Sequence, residues 1–160
     1  MPRAPRCLPE PTARSPALMR SSPLTTRRSA DGVRAALKEL APLLDAMEIG
    51  PKARYGVELV CEEILTNLAK YGGVPAGTDP HLADIVTIEL EAQGDHVTLT
   101  IADHTAPFSP FAAPQPEPNA DVAQAQIGGL GLSLVRQSAN SLSYDSSGGQ
   151  NRLTAVFNAG

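Results

Sequence analysis

The chain has 160 residues, 42% hydrophobic, 19% charged and 4% aromatic, with no Trp; this is one domain's length with an aliphatic core and no base-stacking platform for single-stranded nucleic acid. No apolar run approaches a membrane span, and the N-terminus lacks the apolar stretch of a secretory signal. The net charge of −4 conceals an asymmetry: residues 1–28 hold six Arg and one Glu, whereas residues 29–160 hold 7 basic and 16 acidic side chains, leaving no basic field for nucleic acid.

Residues 1–28 are rich in Pro, Arg, Ser and Thr. Such a stretch buries too little apolar surface to offset its chain entropy, so it reads as a disordered basic tail, with Ala17–Thr26 as a candidate edge strand. It is either an N-terminus without a role or an arm for an acidic partner. From Ser29 the pattern is helical: Val33, Leu37, Leu40, Leu43 and Leu44 recur at three- and four-residue steps, with Ser29 or Asp31 as cap and Gly50–Pro51 as a break. A second helix runs from about Pro51 to Tyr71 and stops at Gly72–Gly73. Ile85–Ala92 and His96–Ala102 form a hairpin turning at Gln93–Gly94–Asp95. Residues 104–127 read as a long loop. Leu130–Leu142 then reads as a helix behind Gly128–Gly129, followed by a hairpin pairing Asn140–Tyr144 with Arg152–Phe157. Helices followed by paired strands predict an α+β fold, a two-layer sandwich with helices on one face of a mixed, mainly antiparallel sheet.

On a helical wheel Val57, Val60, Cys61, Ile64, Leu65 and Leu68 cover one contiguous arc, with Glu63 and Asn67 one turn apart at its border. A border carboxylate can accept a proton, and an amide oxygen is a hard ligand suited to magnesium. Neither Cys61, inside this arc, nor Cys7 matches a metal-ligand spacing, and both suit a reducing cytoplasm. Asp103 ends the second strand of the first hairpin. Gly128, Gly129 and Gly131 open the last helix, where free N–H groups and small residues let backbone approach an anion. No Gly-Lys-Ser/Thr follows, so this is not a P-loop.

The order of these segments resembles the GHKL, or Bergerat-fold, ATPases. Glu63 and Asn67 resemble the N-box. Asp103, Pro107, Phe108 and Pro110 are similar to the first glycine box in its DxGxPFxP form, found in the branch of serine/threonine kinases that act as anti-sigma factors. Gly128–Arg136 resembles the second glycine box, and Tyr144–Thr154 that branch's closing hairpin. The resemblance spans about residues 29–158. It implies a Bergerat ATP-binding fold and a cytoplasmic kinase that uses ATP and Mg2+, phosphorylates a STAS-type anti-anti-sigma factor and sequesters a sigma factor. Close relatives often pair as homodimers. By carry-over, Glu63 is the general base, Asn67 the magnesium ligand and Asp103 the partner of the adenine amino group. Gly128, Gly129, Leu130, Gly131 and Leu132 are the phosphate-binding segment, with backbone contacts from Gly129 and Gly131. Residues 112–127 are the lid, and Thr154 reaches the adenine side. Lys70 either approaches the phosphates or is a solvated helix charge.

The chain departs from the family pattern in several places. Thr105 replaces the glycine whose backbone packs close to the adenine, Ser109 replaces the motif's second acid, and Tyr71 stands where many members have His. No Lys or Arg occurs from Thr105 to Val135, so the lid has no cation for a transferring phosphate. These departures suit an alternative: a partner-binding regulatory module in which ATP binding is structural or lost.

Overall fold

The structure, a computed structural model, describes residues 18–108 and 129–160. Two short strands, β1 (Met19–Arg20) and β2 (Leu24–Arg27), precede the helices α1 (Ala30–Ala46) and α2 (Pro51–Tyr71) and the single turn α3 (Pro80–Ala83). Then come β3 (Ile85–Gln93), β4 (His96–Asp103), α4 (Gly129–Ser138), β5 (Ser141–Asp145) and β6 (Asn151–Asn158). The sheet order is β1-β3-β4-β6-β5, with β2 also on β3, and every described pairing is antiparallel.

The helices begin and end where local chemistry directs. Ser29 caps α1, its Oγ accepting the Gly32 N–H at 3.0 Å. Pro51 opens α2, where its missing N–H costs nothing, and the Gly72 N–H closes the helix on the Leu68 carbonyl at 3.0 Å. The arc read from the wheel is the buried face of α2: Val57, Val60, Cys61, Ile64, Leu65 and Leu68 all join the core. They meet Leu40 and Leu44 of α1 and the inward residues of β3, β4 and β6, such as Ile88, Leu99, Ile101 and Phe157. Leu132 and Val135 anchor α4 in the same cluster. One interior glycine of α2 has a packing reason. A Cβ on Gly56 would lie 2.8 Å from the Phe157 ring, so only glycine lets α2 cross β6 this closely.

The expected division at residue 28 is corrected. Residues 19–20 and 24–27 extend the sheet edge, β1 against Ala92 and Glu91 and β2 against residues 85–88 of β3. Strand addition draws on backbone N–H and C=O groups rather than apolar side chains, so composition understates it. The edge strand anticipated within 17–26 is thus present and runs on to Arg27. Pro23 lacks an N–H and sits in the gap between β1 and β2, where the Ser21 Oγ accepts the Leu90 N–H at 3.1 Å. Residues 1–17, with Cys7, lie outside the described residues. Among the described residues no helix is long and apolar enough to cross a membrane.

Candidate nucleotide site

A cleft with about 470 Å³ of open space lies between the C-terminal half of α2 and the ends of β4, β5 and β6. Ile64, Leu68, Ile101 and Leu153 form apolar walls, and Asn67, Asp103 and Thr105 supply polar groups. Three of the chain's six aromatic residues, Tyr71, Phe108 and Tyr144, line this one cleft. Largely apolar walls with a few directed polar groups are what a small-ligand site requires.

At the floor, Asp103 is buried at the end of β4. Its Oδ1 accepts three hydrogen bonds: from the Thr105 N–H at 2.8 Å, the Thr105 hydroxyl at 2.6 Å and the Asn151 amide at 2.8 Å. The Asn151 amide also donates to the Thr105 carbonyl at 2.9 Å. Asn151 stands directly opposite Asp103 in the β4–β6 register. The chain leaving β4 is held on both sides. The Ala106 N–H donates to the Gly73 carbonyl at 2.8 Å, and the Phe108 N–H to the Tyr144 Oη at 2.9 Å. Burial pushes the Tyr144 phenol above its ordinary range, and the Phe108 N–H partly offsets this. At the end of α2, the Arg28 guanidinium donates to the Gly72 carbonyl, a cation at the negative end of a helix.

At the other end, Asn67 lines the cleft and Glu63 sits one turn back on α2, both half-buried. The start of α4 lies directly against Glu63: a Cβ on Gly131 would overlap its carboxylate. The described part of α4 opens at Gly129, so Gly131 and its contact with Glu63 lie in the first described turn. Asn67 and the buried Asp103 thus line the cleft, while Glu63 and the first described turn of α4 meet one helical turn from Asn67. The donor set fits a nucleotide with a divalent cation: a carboxylate acceptor and aromatic edges for a base, backbone N–H groups for phosphate, and a hard amide oxygen beside them.

The sequence profile of the histidine kinase-like ATPase domain matches residues 26–157. The chain belongs to that family. A Bordetella bronchiseptica relative, named serine/threonine-protein kinase BtrW, is 33% identical over 103 residues, covering 64% of this chain and 69% of the relative. The structure of the RsbU and RsbW domains of a Mycobacterium tuberculosis protein superposes with a TM-score of 0.53 at 13% identity, covering 86% of this chain. This chain spans about a third of that one, 32%, and the likeness is one of fold. The resemblance to GHKL ATPases and their anti-sigma kinase branch stands, as does the two-layer α+β sandwich.

Within this ATPase fold the expected site residues separate. Asn67, Asp103 and Thr105 share the cleft, and Glu63 meets Gly131 beside it. Leu132 sends its side chain into the core, so only its backbone is available to a ligand. Lys70 does not line the cleft. It lies on the side of α2 facing α1, in a groove with Ala30, Val33, Arg34, Thr66 and Ala69, because three residues along a helix rotate it away from Asn67. Thr154 is also turned away: it alternates with the cleft-lining Leu153 and faces out between Thr100 and Ser143. Gly128, Ser109, Pro110 and the lid at 112–127 lie outside the described residues. Sequence reasoning assigned no role to Asn151. Its signal was present in the pairing of the last strand with β4, which puts position 151 opposite Asp103.

Proposed function

We propose that the chain is an ATP-dependent protein serine/threonine kinase and anti-sigma factor, which phosphorylates a STAS-type antagonist and sequesters a sigma factor. One observation carries the reading: the Glu63 carboxylate lies against the first turn of α4, one helical turn from Asn67, in a family of ATPase domains. The kinase name of the Bordetella relative supports the class of reaction.

Phosphoryl transfer asks for position, charge neutralisation and one base. Mg-ATP supplies the phosphoryl group. Asp103 would receive the amino group of the adenine, Asn67 would ligate magnesium, and the N–H groups of Gly129 and Gly131 would hold phosphate oxygens. Glu63 accepts the proton of the partner's hydroxyl as its oxygen bonds to the γ-phosphorus and the bond to ADP breaks. The new charge on the antagonist disrupts its docking by repulsion and desolvation, leaving this chain free to hold the sigma factor. Thr105 in place of glycine does not argue for a lost site. Glu48 is the sole non-glycine at positive φ among the described residues, so the Thr105 backbone is unstrained and its hydroxyl bonds to Asp103.

Radiolabelled ATP with a STAS partner tests the assignment. Glu63→Ala is expected to lower transfer by about 10²–10⁴-fold while calorimetric binding of Mg-ATP persists. Undiminished transfer would remove Glu63 as the base. A wild-type chain giving no binding heat at millimolar Mg-ATP would favour the partner-binding module.

A further inference from the structure

We propose that Thr105, supported by Asn151, is a specificity-determining positioning residue. It orients Asp103 so that the cleft admits a purine with an exocyclic amino group and rejects one with a carbonyl oxygen at that position. The inference rests on the nucleotide-binding reading above and adds what selects the base.

Three donors converge on one oxygen, Oδ1 of Asp103, two of them from Thr105. The hydroxyl's other acceptor, the Ala106 carbonyl, is at 3.3 Å against 2.6 Å for the carboxylate, so the proton belongs to Asp103. Asn151 is itself buried and locked by its second bond to the Thr105 carbonyl. Among the described residues no donor reaches Oδ2, and Asp103 lines the cleft. Oδ2 is therefore the oxygen left for a ligand. A carboxylate oxygen accepts and cannot donate, so it pairs with an amino group and opposes a carbonyl, leaving the latter's lone pairs unmatched.

With glycine at position 105, Oδ1 would keep only the backbone N–H of 105 and the Asn151 amide. Threonine adds the hydroxyl, and its methyl group fills space beside α2: a Cβ on Gly72 would lie 3.0 Å from Thr105 Cγ2. With the hydroxyl removed, the carboxylate has less to hold its plane, and the preference for one oxygen over the other weakens.

Calorimetric binding of ATP and of inosine triphosphate, which carries a carbonyl in place of the amino group, provides the test. The wild-type chain is expected to favour ATP. Thr105→Val keeps the shape and methyl group; it should weaken ATP by about tenfold, the loss of a hydrogen bond to a charged group, and compress the ATP-to-inosine triphosphate ratio. Thr105→Ser, which keeps the hydroxyl, should restore the ratio. If valine prevents folding, Thr105→Gly removes the hydroxyl without bulk and carries the same expectation. Equal weakening of both nucleotides marks a purely structural residue and overturns the proposal. A wild-type chain that binds both alike overturns it while leaving nucleotide binding intact, and one that binds neither overturns both readings.

Discussion

The two ends of the cleft are built on opposite plans. Around Asp103 nearly every polar atom is committed: three donors on one oxygen, a buried amide with both bonds made, and the following segment tied to Gly73 and Tyr144. Around Glu63 and Asn67, no hydrogen bond to either side chain is found among the described residues; both ride on α2, with the Glu63 carboxylate resting against Gly131 of α4. The committed end presents one acceptor in one direction, which suits recognition. The uncommitted end keeps its acid and amide available for a proton and a cation, and relies on a rigid helix for their placement.

The largest effect is expected at the uncommitted end. Gly131→Ala places a methyl group where the Glu63 carboxylate lies. That carboxylate ends a flexible side chain, so the fold should yield at little expense while the base is displaced. Phosphotransfer should fall by about 10²-fold, the order expected for a misplacement of about 1 Å, with a nearly unchanged melting temperature. Unaltered transfer would mean the contact between Glu63 and α4 has no part in catalysis.

A smaller change is expected at the committed end. In Asp103→Asn the three donors should retain the amide oxygen at the Oδ1 position and turn the NH₂ group toward the cleft. ATP affinity should drop by about tenfold while inosine triphosphate gains relative to ATP. Calorimetry that shows no change in relative preference would argue that the donors do not orient this side chain.

The smallest effect probes the helix on which the uncommitted end depends. Burial pushes the Cys61 thiol from 9.0 up to about 12. The sign follows from the raised value: the stabilisation is fully present below pH 9 and is lost as pH climbs toward 12, where the unfolded thiol ionises first. Denaturation midpoints should hold steady up to pH 9 and decline above it, and peptide mapping should find Cys61 unalkylated in the folded chain. Ready alkylation at neutral pH would show that α2 opens and that Glu63 and Asn67 lack a rigid support.

Much of this organisation follows from sequence by itself. Periodicity in α2 marks its buried arc and puts Glu63 and Asn67 at the border, because 3.6 residues per turn is a property of the backbone alone. The β3–β4 hairpin and the closing hairpin are legible from alternation and turn residues, within a residue or two at their ends. Tertiary structure decided what depends on pairing between distant segments. It brought residues 19–27 onto the edge of β3, an outcome of backbone hydrogen bonds that composition does not encode. It turned Lys70 toward α1 and Thr154 outward, since a residue's position in a motif does not say which neighbour covers which face. And it set Asn151 opposite Asp103, because register between strands 48 residues apart is chosen by the whole sheet at once.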